Sequence, residues 1–293
     1  MNTSSNDDEV KDLAIQNLLL TEFSDNLTSE IYKEKPATIL MEEDNGDLVS
    51  LEFLNNQMQM TSKIDITRTF SNTFYVDNPF ILEGDYFLYS TNSLSYLPYK
   101  HRQHLSNCIH NVPGGINYFD EVMQNKKVMQ IFSNVIDGDV KIGPKGYRYH
   151  TNKFAELLNM ENVSTGIKSF AIIKLLLEKG FLKDSEFLIL DEPEIHLHPE
   201  WQLRYAELIV LLSIHYPVRI VITSHSPYFV EAIELYSKKH KIDDQVRYYK
   251  TEMESFDGLS KIVDVTGQIE KLYEDMAIPF RKLAELREEL DES

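Results

Sequence analysis

The sequence predicts an α/β fold with a largely parallel sheet and helices on both faces. From residue 160 onward, helix patterns and strand patterns alternate along the chain. The strand patterns at residues 187–190 and 218–223 are rich in apolar residues, as expected of strands whose two faces are both covered. Strands that alternate with helices pair in parallel, so we expect the sheet to be built mainly by the second half of the chain.

The first half of the chain predicts a mixed, strand-rich portion. Strands at residues 37–41 and 48–53 flank Asn45-Gly46, which is a strong signal for a hairpin turn. The further elements expected here are a helix at 8–32, strands at 72–76 and 86–89, a helix at 118–135 and a hairpin at 139–150.

Helix boundaries in the second half follow from glycine and proline. A helix at residues 167–179 is expected to end at Gly180, and another to begin near Pro199. A third is expected at 228–239, with further strands at 246–250 and 261–265. The last helix carries an apolar stripe of Ile269, Leu272, Tyr273, Met276, Phe280, Leu283, Leu286 and Leu290. We expect this stripe to pack on the domain, with a partner helix as the alternative.

These patterns divide the chain into three parts. Residues 1–159 form the mixed α+β portion, residues 160–265 form the core of the α/β domain, and residues 266–293 form an acidic amphipathic helix.

Composition limits the function classes. Hydrophobic residues make up 42% of the chain, enough for a folded core. The single cysteine, Cys108, excludes an internal disulfide framework. The net charge of −18 disfavours direct DNA binding by this chain. The acidic N-terminus does not resemble a signal peptide, and no apolar run reaches the length of a membrane span, so we expect a cytoplasmic protein without a membrane segment.

Two carboxylates, Asp191 and Glu192, follow the apolar strand at 187–190 directly. At the carboxyl edge of a parallel sheet, such a pair can hold Mg²⁺ with one carboxylate and polarise an attacking water with the other. The alternative interpretation is an acidic turn after a core strand.

Two further segments fit the same chemistry. Ser164-Thr165-Gly166 begins a helix, where a serine cap and free backbone N–H groups suit an anion. His225 follows the next strand and can sense a terminal phosphate or a bound water. An ordinary helix start and an ordinary turn histidine are the alternatives. His196 and His198 lack further ligands in the sequence, which disfavours a zinc site.

Together these segments resemble the second half of an ABC-type ATPase. The similarity is strongest to the branch that contains SMC, RecF and overcoming-lysogenization-defect proteins, often labelled AAA-type ATPases. It rests on Ser164-Thr165-Gly166, on Asp191 to Pro199, and on Thr223-Ser224-His225-Ser226-Pro227. It implies a P-loop NTPase-like fold with ATP and Mg²⁺ as cofactors.

The resemblance also implies roles for individual residues. Ser164 and Gly166 match the signature that contacts ATP held by a second subunit, and Thr165 between them stands where the usual form has glycine. The resemblance therefore implies nucleotide contact by Ser164, Thr165 and Gly166, and a homodimer or heterodimer formed through that face. Asp191 matches the Walker B aspartate that holds Mg²⁺. Glu192 matches the catalytic glutamate, and His225 the switch histidine.

No G-x-x-x-x-G-K-[ST] segment, the Walker A loop that cradles nucleotide phosphates, occurs in the 293 residues. The resemblance places that loop before everything seen here, so we expect it upstream of Met1 or on another polypeptide. The first hypothesis is therefore a truncated or split ATP hydrolase. A non-catalytic interaction module and an ATPase subunit that gates a partner nuclease in DNA repair or phage defence are the alternatives.

Overall fold

The computed structural model describes residues 37–42, 48–55, 57–59, 63–65, 73–83, 100–110, 126–143, 146–151, 156–183, 187–253 and 260–291. The strands of this part of the chain are β1 (Ala37–Glu42), β2 (Leu48–Leu54), β3 (Gln57–Met58), β4 (Lys63–Asp65), β5 (Thr73–Val76), β6 (Gly138–Gly143), β7 (Gly146–Thr151), β8 (Leu158–Asn159), β9 (Phe187–Asp191), β10 (Arg219–Thr223), β11 (Tyr249–Met253) and β12 (Ser260–Asp264). Its α-helices are α1 (Lys100–His110), α2 (Lys126–Val135), α3 (Thr165–Glu178), α4 (Pro199–His215), α5 (Pro227–His240), α6 (Glu270–Met276) and α7 (Ile278–Asp291).

A parallel sheet in the order β10-β9-β5 forms the centre of the fold. In its register, Thr223 pairs with Asp191, and Val76 pairs with Leu190. The three strands therefore end at the same edge of the sheet. This arrangement confirms the α/β class with a parallel sheet that the alternating pattern predicts.

The central strand β9 packs tightly because both of its faces are covered. Leu188 and Leu190 are fully buried, and the alternate residues of β9 are half-buried. They join a core that includes Phe74 of β5 and Phe170 of α3. Burying each such side chain contributes about 1.5–3 kcal/mol, which fixes the sheet against the helices.

The remaining strands form antiparallel sheets, and the strand-rich character of the first half is confirmed. In one sheet β1 pairs with β2, which also pairs with β3 and β4, and in another β6 pairs with β7 and β7 with β8. The strand expected at residues 246–250 begins only at Tyr249. It pairs with β12, within the described residues, instead of lengthening the parallel sheet.

The helix boundaries that glycine and proline predict are confirmed. The chain leaves α3 through Gly180, whose φ is 76°, a conformation that glycine adopts at little cost. Pro199 begins α4, and the side chain of His198 caps it by accepting a hydrogen bond from the N–H of Glu200 at 3.3 Å.

The C-terminal segment differs from the single packed helix that the stripe predicts. Ala277 separates two helices, of which α6 is tied to the domain because Tyr273 Oη donates a hydrogen bond to Glu234 Oε2 at 2.5 Å. In contrast, α7 buries none of its described residues. The elements expected at residues 8–32, 86–89 and 118–125 lie outside the described residues.

Candidate functional site

The carboxyl edge of the parallel sheet brings the sequence-predicted acidic residues together with side chains from both neighbouring strands. Asp191 ends β9, Thr223 ends β10, and Asp77 follows β5 directly. A small cleft at this edge is lined by Asp77, Asp191 and Glu192, with Ser169 of α3 on its far side. Open parallel sheets bind their ligands at this edge, so the cleft is the natural place for a site.

Both carboxylate oxygens of Asp191 accept a hydrogen bond from a neutral hydroxyl. Thr223 Oγ1 donates to Oδ1, and Tyr75 Oη of β5 donates to Oδ2 at 3.0 Å. Burial raises the pKa of Tyr75 to about 12, and the hydrogen bond and negative charge of Asp191 act in the same direction. These two donors fix the carboxylate plane and leave lone pairs available for a cation.

Glu192 adopts a strained backbone conformation at the end of this strand. Its φ is 43°, in the left-handed region that side-chain-bearing residues avoid. The N–H of Glu192 donates to the carbonyl of Thr223 at 3.2 Å and lies 3.0 Å from Thr223 Oγ1. Strain of this kind costs on the order of 1–3 kcal/mol and is concentrated at functional sites.

The carboxylate of Glu192 reaches the imidazole of His225. Glu192 Oε1 lies 3.2 Å from His225 Nε2, and the side chain of His225 is 89% exposed. A carboxylate and an imidazole at this distance can share a proton and can both contact a water or a phosphate oxygen from solvent. The structure therefore joins two residues that the sequence placed 33 positions apart.

A buried carboxylate holds the turn that carries His225. Glu194 is 4% exposed, and its Oε1 accepts hydrogen bonds from Ser224 Oγ at 2.6 Å and from the N–H of His225 at 3.2 Å. Ser226 Oγ donates to Gln202 Oε1 of α4 at 2.8 Å, which anchors the same turn from its other side. The turns after β9 and β10 are thus one hydrogen-bonded unit.

The Ser164-Thr165-Gly166 segment lies at the start of α3, as expected, but none of its residues lines the cleft beside Asp191. Ser164 caps α3 by accepting a hydrogen bond from the N–H of Ile167 at 3.4 Å, and its side chain is exposed. Gly166 is buried against the indole of Trp201, which gives it a packing role in addition to any contact with a ligand.

A buried ion pair anchors the same helix to the segment after β5. Lys168 of α3 is 2% exposed and pairs with Glu83, and its ammonium also lies 5.7 Å from the centroid of the Phe80 ring. Because Phe80 and Glu83 follow Asp77 in sequence, this pair fixes the wall of the cleft that β5 supplies.

Sequence reasoning gave no role to Tyr75, and it used Thr223 and Glu194 only as parts of the segments that carry the family resemblance. Tyr75 is 116 residues from Asp191 and is brought to it only by the pairing of β5 with β9. Asp77 and Asn78 follow β5 and line the cleft at the same edge of the sheet.

Magnesium is usually held by one or two carboxylates together with phosphates and water. Asp191, with Glu192 beside it, fits that part of the ligand set, because both of its carboxylate oxygens are oriented by hydroxyl donors and its side chain lines the cleft. Within the described ranges, no three His, Cys, Asp or Glu side chains converge to hold a metal ion.

None of the helices in the described part of the chain is both long enough and apolar enough to span a membrane.

The fold is similar to solved SMC head domains. The SMC head domain from Thermotoga maritima is 17% identical, with a TM-score of 0.40, and the match covers 78% of this chain and 73% of that chain. An SMC head bound to the C-terminal winged-helix domain of ScpA matches with a TM-score of 0.42 at 17% identity and the same coverage. The SMC head from Pyrococcus furiosus with an extended coiled coil is 20% identical, with a TM-score of 0.34, over 52% of this chain and 37% of that chain.

A search of the curated proteins finds no match. A family model described as "AAA domain, putative AbiEii toxin, Type IV TA system" matches residues 18–231, which include the cleft, the Glu192–His225 pair and the start of α3. This match confirms the resemblance to AAA-type ATPase domains, and the chain belongs to this AAA-domain family.

Proposed function

We propose that this chain is the catalytic half of an ATP hydrolase whose phosphate-binding loop comes from outside its 293 residues. The observation that carries the proposal is the Glu192–His225 pair, 3.2 Å apart, next to an oriented Asp191 carboxylate. These are the groups that a water-activating, magnesium-dependent site requires from the strand edge. Membership of an AAA-domain family supports ATP as the substrate.

The edge of β10 that no described strand covers supports the proposal that another segment supplies the phosphate-binding loop. Among the described strands, β10 pairs only with β9, and Val221 at its centre is 47% exposed. The N–H and C=O groups along an unpaired strand edge can pair with a further strand, so this edge suits the addition of one more strand. A strand added parallel to β10 would end beside Thr223, which puts a loop at its carboxyl end within reach of Asp191 and His225.

The residues of this chain then have separate roles. Asp191, held by Tyr75 and Thr223, would hold Mg²⁺, and the ion would neutralise charge on the phosphates. Glu192 accepts a proton from the attacking water at its carboxylate. His225 donates a hydrogen bond to a terminal phosphate oxygen, and Glu194 keeps its backbone in place.

Ser164, Thr165 and Gly166 contact nucleotide bound by a second subunit in this proposal. Their position at the start of α3, outside the cleft of their own chain, supports a role across a dimer interface. The free N–H groups at a helix start suit a phosphate.

The test joins a strand–loop–helix segment with a G-x-x-x-x-G-K-[ST] loop, taken from another member of the family, ahead of Met1. We expect the joined protein to hydrolyse ATP and the unmodified chain not to do so. Glu192→Gln in the joined protein should lower kcat by about 100-fold or more while nucleotide binding, measured by fluorescence, persists.

Two controls make the result specific. Changing the loop lysine to alanine should abolish nucleotide binding. Glu200→Gln, at an exposed glutamate on α4 that pairs with Arg204, should leave kcat unchanged. Full activity in Glu192→Gln would refute the assigned role.

A non-catalytic module is the second candidate, and the packing of Gly166 on Trp201 favours it, because that contact gives a structural reason for the signature glycine. Such a module would dock on a complete ATPase and contribute only Ser164 and Gly166 across the interface to the nucleotide that the ATPase binds. It predicts that the joined protein binds nucleotide but shows no turnover that depends on Glu192.

The family description names a toxin–antitoxin system, which supports a role beside a partner protein. The nuclease that the resemblance offers as an alternative would be one such partner. The net charge of −18 implies that DNA is contacted by that partner. Fluorescence anisotropy with labelled duplex DNA should show no binding by this chain alone, and salt-sensitive binding would contradict this view.

A further inference from the structure

The helix α7 presents an apolar stripe to solvent that the proposed site does not use. Phe280, Leu283 and Leu286 are 54%, 58% and 50% exposed, and Leu290 at the end of the helix is exposed as well. Pro279, Leu283, Leu286 and Leu290 are spaced alternately four and three residues apart, which is the spacing of a coiled-coil seam. An exposed seam of this kind marks an interaction surface.

The charges of α7 oppose its own dipole. Its first turns carry Arg281 and Lys282 and no acidic residue, and its last turn carries Glu288, Glu289 and Asp291 and no basic residue. Helices are stabilised by the reverse arrangement, with acids at the start and bases at the end. Each such charge costs about 0.3–1 kcal/mol in an exposed helix, and a partner helix of opposite polarity would offset that cost.

A second copy of α7 in the antiparallel direction supplies that compensation. It places the basic start of each helix against the acidic end of the other, and it opposes the two helix dipoles. When Leu283 of one copy packs in the same layer as Leu286 of the other, Lys282 of the first copy lies beside Glu289 of the second. Both residues stand at positions that flank the apolar seam. A parallel pair would instead set like charges side by side. Among the described residues, neither Lys282 nor Glu289 has an ion-pair partner within the chain.

We propose that α7 is a homodimerisation helix that pairs antiparallel with α7 of a second copy. The helix has 14 residues. Its length is therefore about 21 Å, so the interface is small and the dimer should be weak, with a population that depends on protein concentration. This contact is independent of nucleotide and of the face around Ser164.

The first test measures the mass of the full chain by sedimentation without nucleotide over a range of concentrations. The salt is held at about 0.1 M, where the net charge of −18 opposes edge-to-edge pairing through β10. The wild-type chain should change from monomer to dimer, and Leu286→Glu should remain a monomer throughout. The matched control is Leu235→Glu, at an exposed leucine on α5, which should dimerise like the wild type. A wild-type chain that stays monomeric, or a dimer that survives Leu286→Glu, would overturn the proposal.

The second test exchanges charges. Lys282→Glu and Glu289→Lys should each weaken the dimer by about tenfold, and the double variant should recover wild-type affinity. Mixing the two single variants should give a heterodimer tighter than either homodimer, because each contact then joins opposite charges. Equal affinities in all these combinations would contradict the antiparallel register.

Cross-linking reports the direction of the helices. In a Cys108→Ser background, a mixture of Lys282→Cys and Glu289→Cys chains should form disulfides between the two different chains under mild oxidation. Disulfides mainly between two Lys282→Cys chains would indicate a parallel pair and refute the proposed geometry.

Discussion

Replacing Gly166 with alanine separates a packing role of this glycine from a role in nucleotide contact. A Cβ at residue 166 would lie 2.8 Å from both Cε3 and Cζ3 of Trp201, and 3.3 Å from Cδ2 of Leu197. The indole therefore has to move. Since the Trp201 ring also meets Phe170 edge-on, with centroids 6.2 Å apart, its movement disturbs the core on the far side.

The magnitude follows from two opposing effects. Overpacking a core by one methyl group costs about 1–3 kcal/mol, and contact with two atoms of a rigid ring favours the upper half of that range. Alanine returns up to about 1 kcal/mol through its higher helix propensity. We expect a net loss of about 1–2 kcal/mol in the free energy of unfolding, or a Tm lower by about 3–6 °C.

The assay is urea unfolding of the chain without nucleotide. Gly267→Ala is the matched control, because a Cβ there would meet nothing within 4 Å, and it should unfold like the wild type. Trp201→Phe shortens the ring system that the new methyl group meets, so Gly166→Ala should cost less than half as much in that background. A clash between the new methyl group and Trp201 is refuted if Gly166→Ala is as stable as the wild type. It is also refuted if Gly166→Ala lowers the free energy of unfolding equally in the wild-type and Trp201→Phe backgrounds.

Three further predictions concern stability around the cleft. Glu83→Ala leaves the buried ammonium of Lys168 unpaired and should lower the free energy of unfolding by about 3 kcal/mol. Lys168→Met removes the buried charge itself and should cost less, so equal losses in urea unfolding would contradict this explanation. Because the folded-state pKa of Tyr75 is raised from 10.0 to about 12, its contribution to stability is complete below the unfolded-state pKa and is lost as the pH rises through the folded-state value. Tyr248 ionises in the same range, so a phenolate absorbance titration should lose the amplitude of one tyrosine near pH 12 in Tyr75→Phe, and an unchanged titration curve would exclude this. Glu192→Gly should be about 1 kcal/mol more stable than Glu192→Ala, since glycine adopts the φ of 43° at little cost and alanine does not. Matching denaturation midpoints would show that the strain is absent.

The sequence predicts those features that depend on local signals. Gly180 ends α3 and Pro199 begins α4 because their backbone preferences act within one turn of helix. Asp191 and His225 could be placed at one sheet edge because each follows an apolar strand, and parallel strands end together. Their assigned roles stay predictions.

The features that the sequence does not predict depend on contacts between distant segments. Tyr75 reaches Asp191 only because β5 pairs with β9, and no local signal states which strands are neighbours. Glu194 belongs to an acidic turn, which indicates solvent exposure, yet Ser224 and the backbone of His225 satisfy its Oε1 in the interior. The apolar stripe of α7 has helical spacing whether it faces a core or a partner, so its exposure could not be deduced from its period.

The edge of β10, unpaired among the described strands, also governs how the chain behaves in concentrated solution. Such an edge is a template for pairing with any other chain, and copies of this protein present the same template to one another. The charge of −18 keeps those copies apart, but only over the range of the electrostatic repulsion. That range falls from about 10 Å in about 0.1 M salt to about 3 Å in about 1 M salt. Without a strand on β10, the protein should therefore be most soluble at low ionic strength and should associate edge to edge as salt is added.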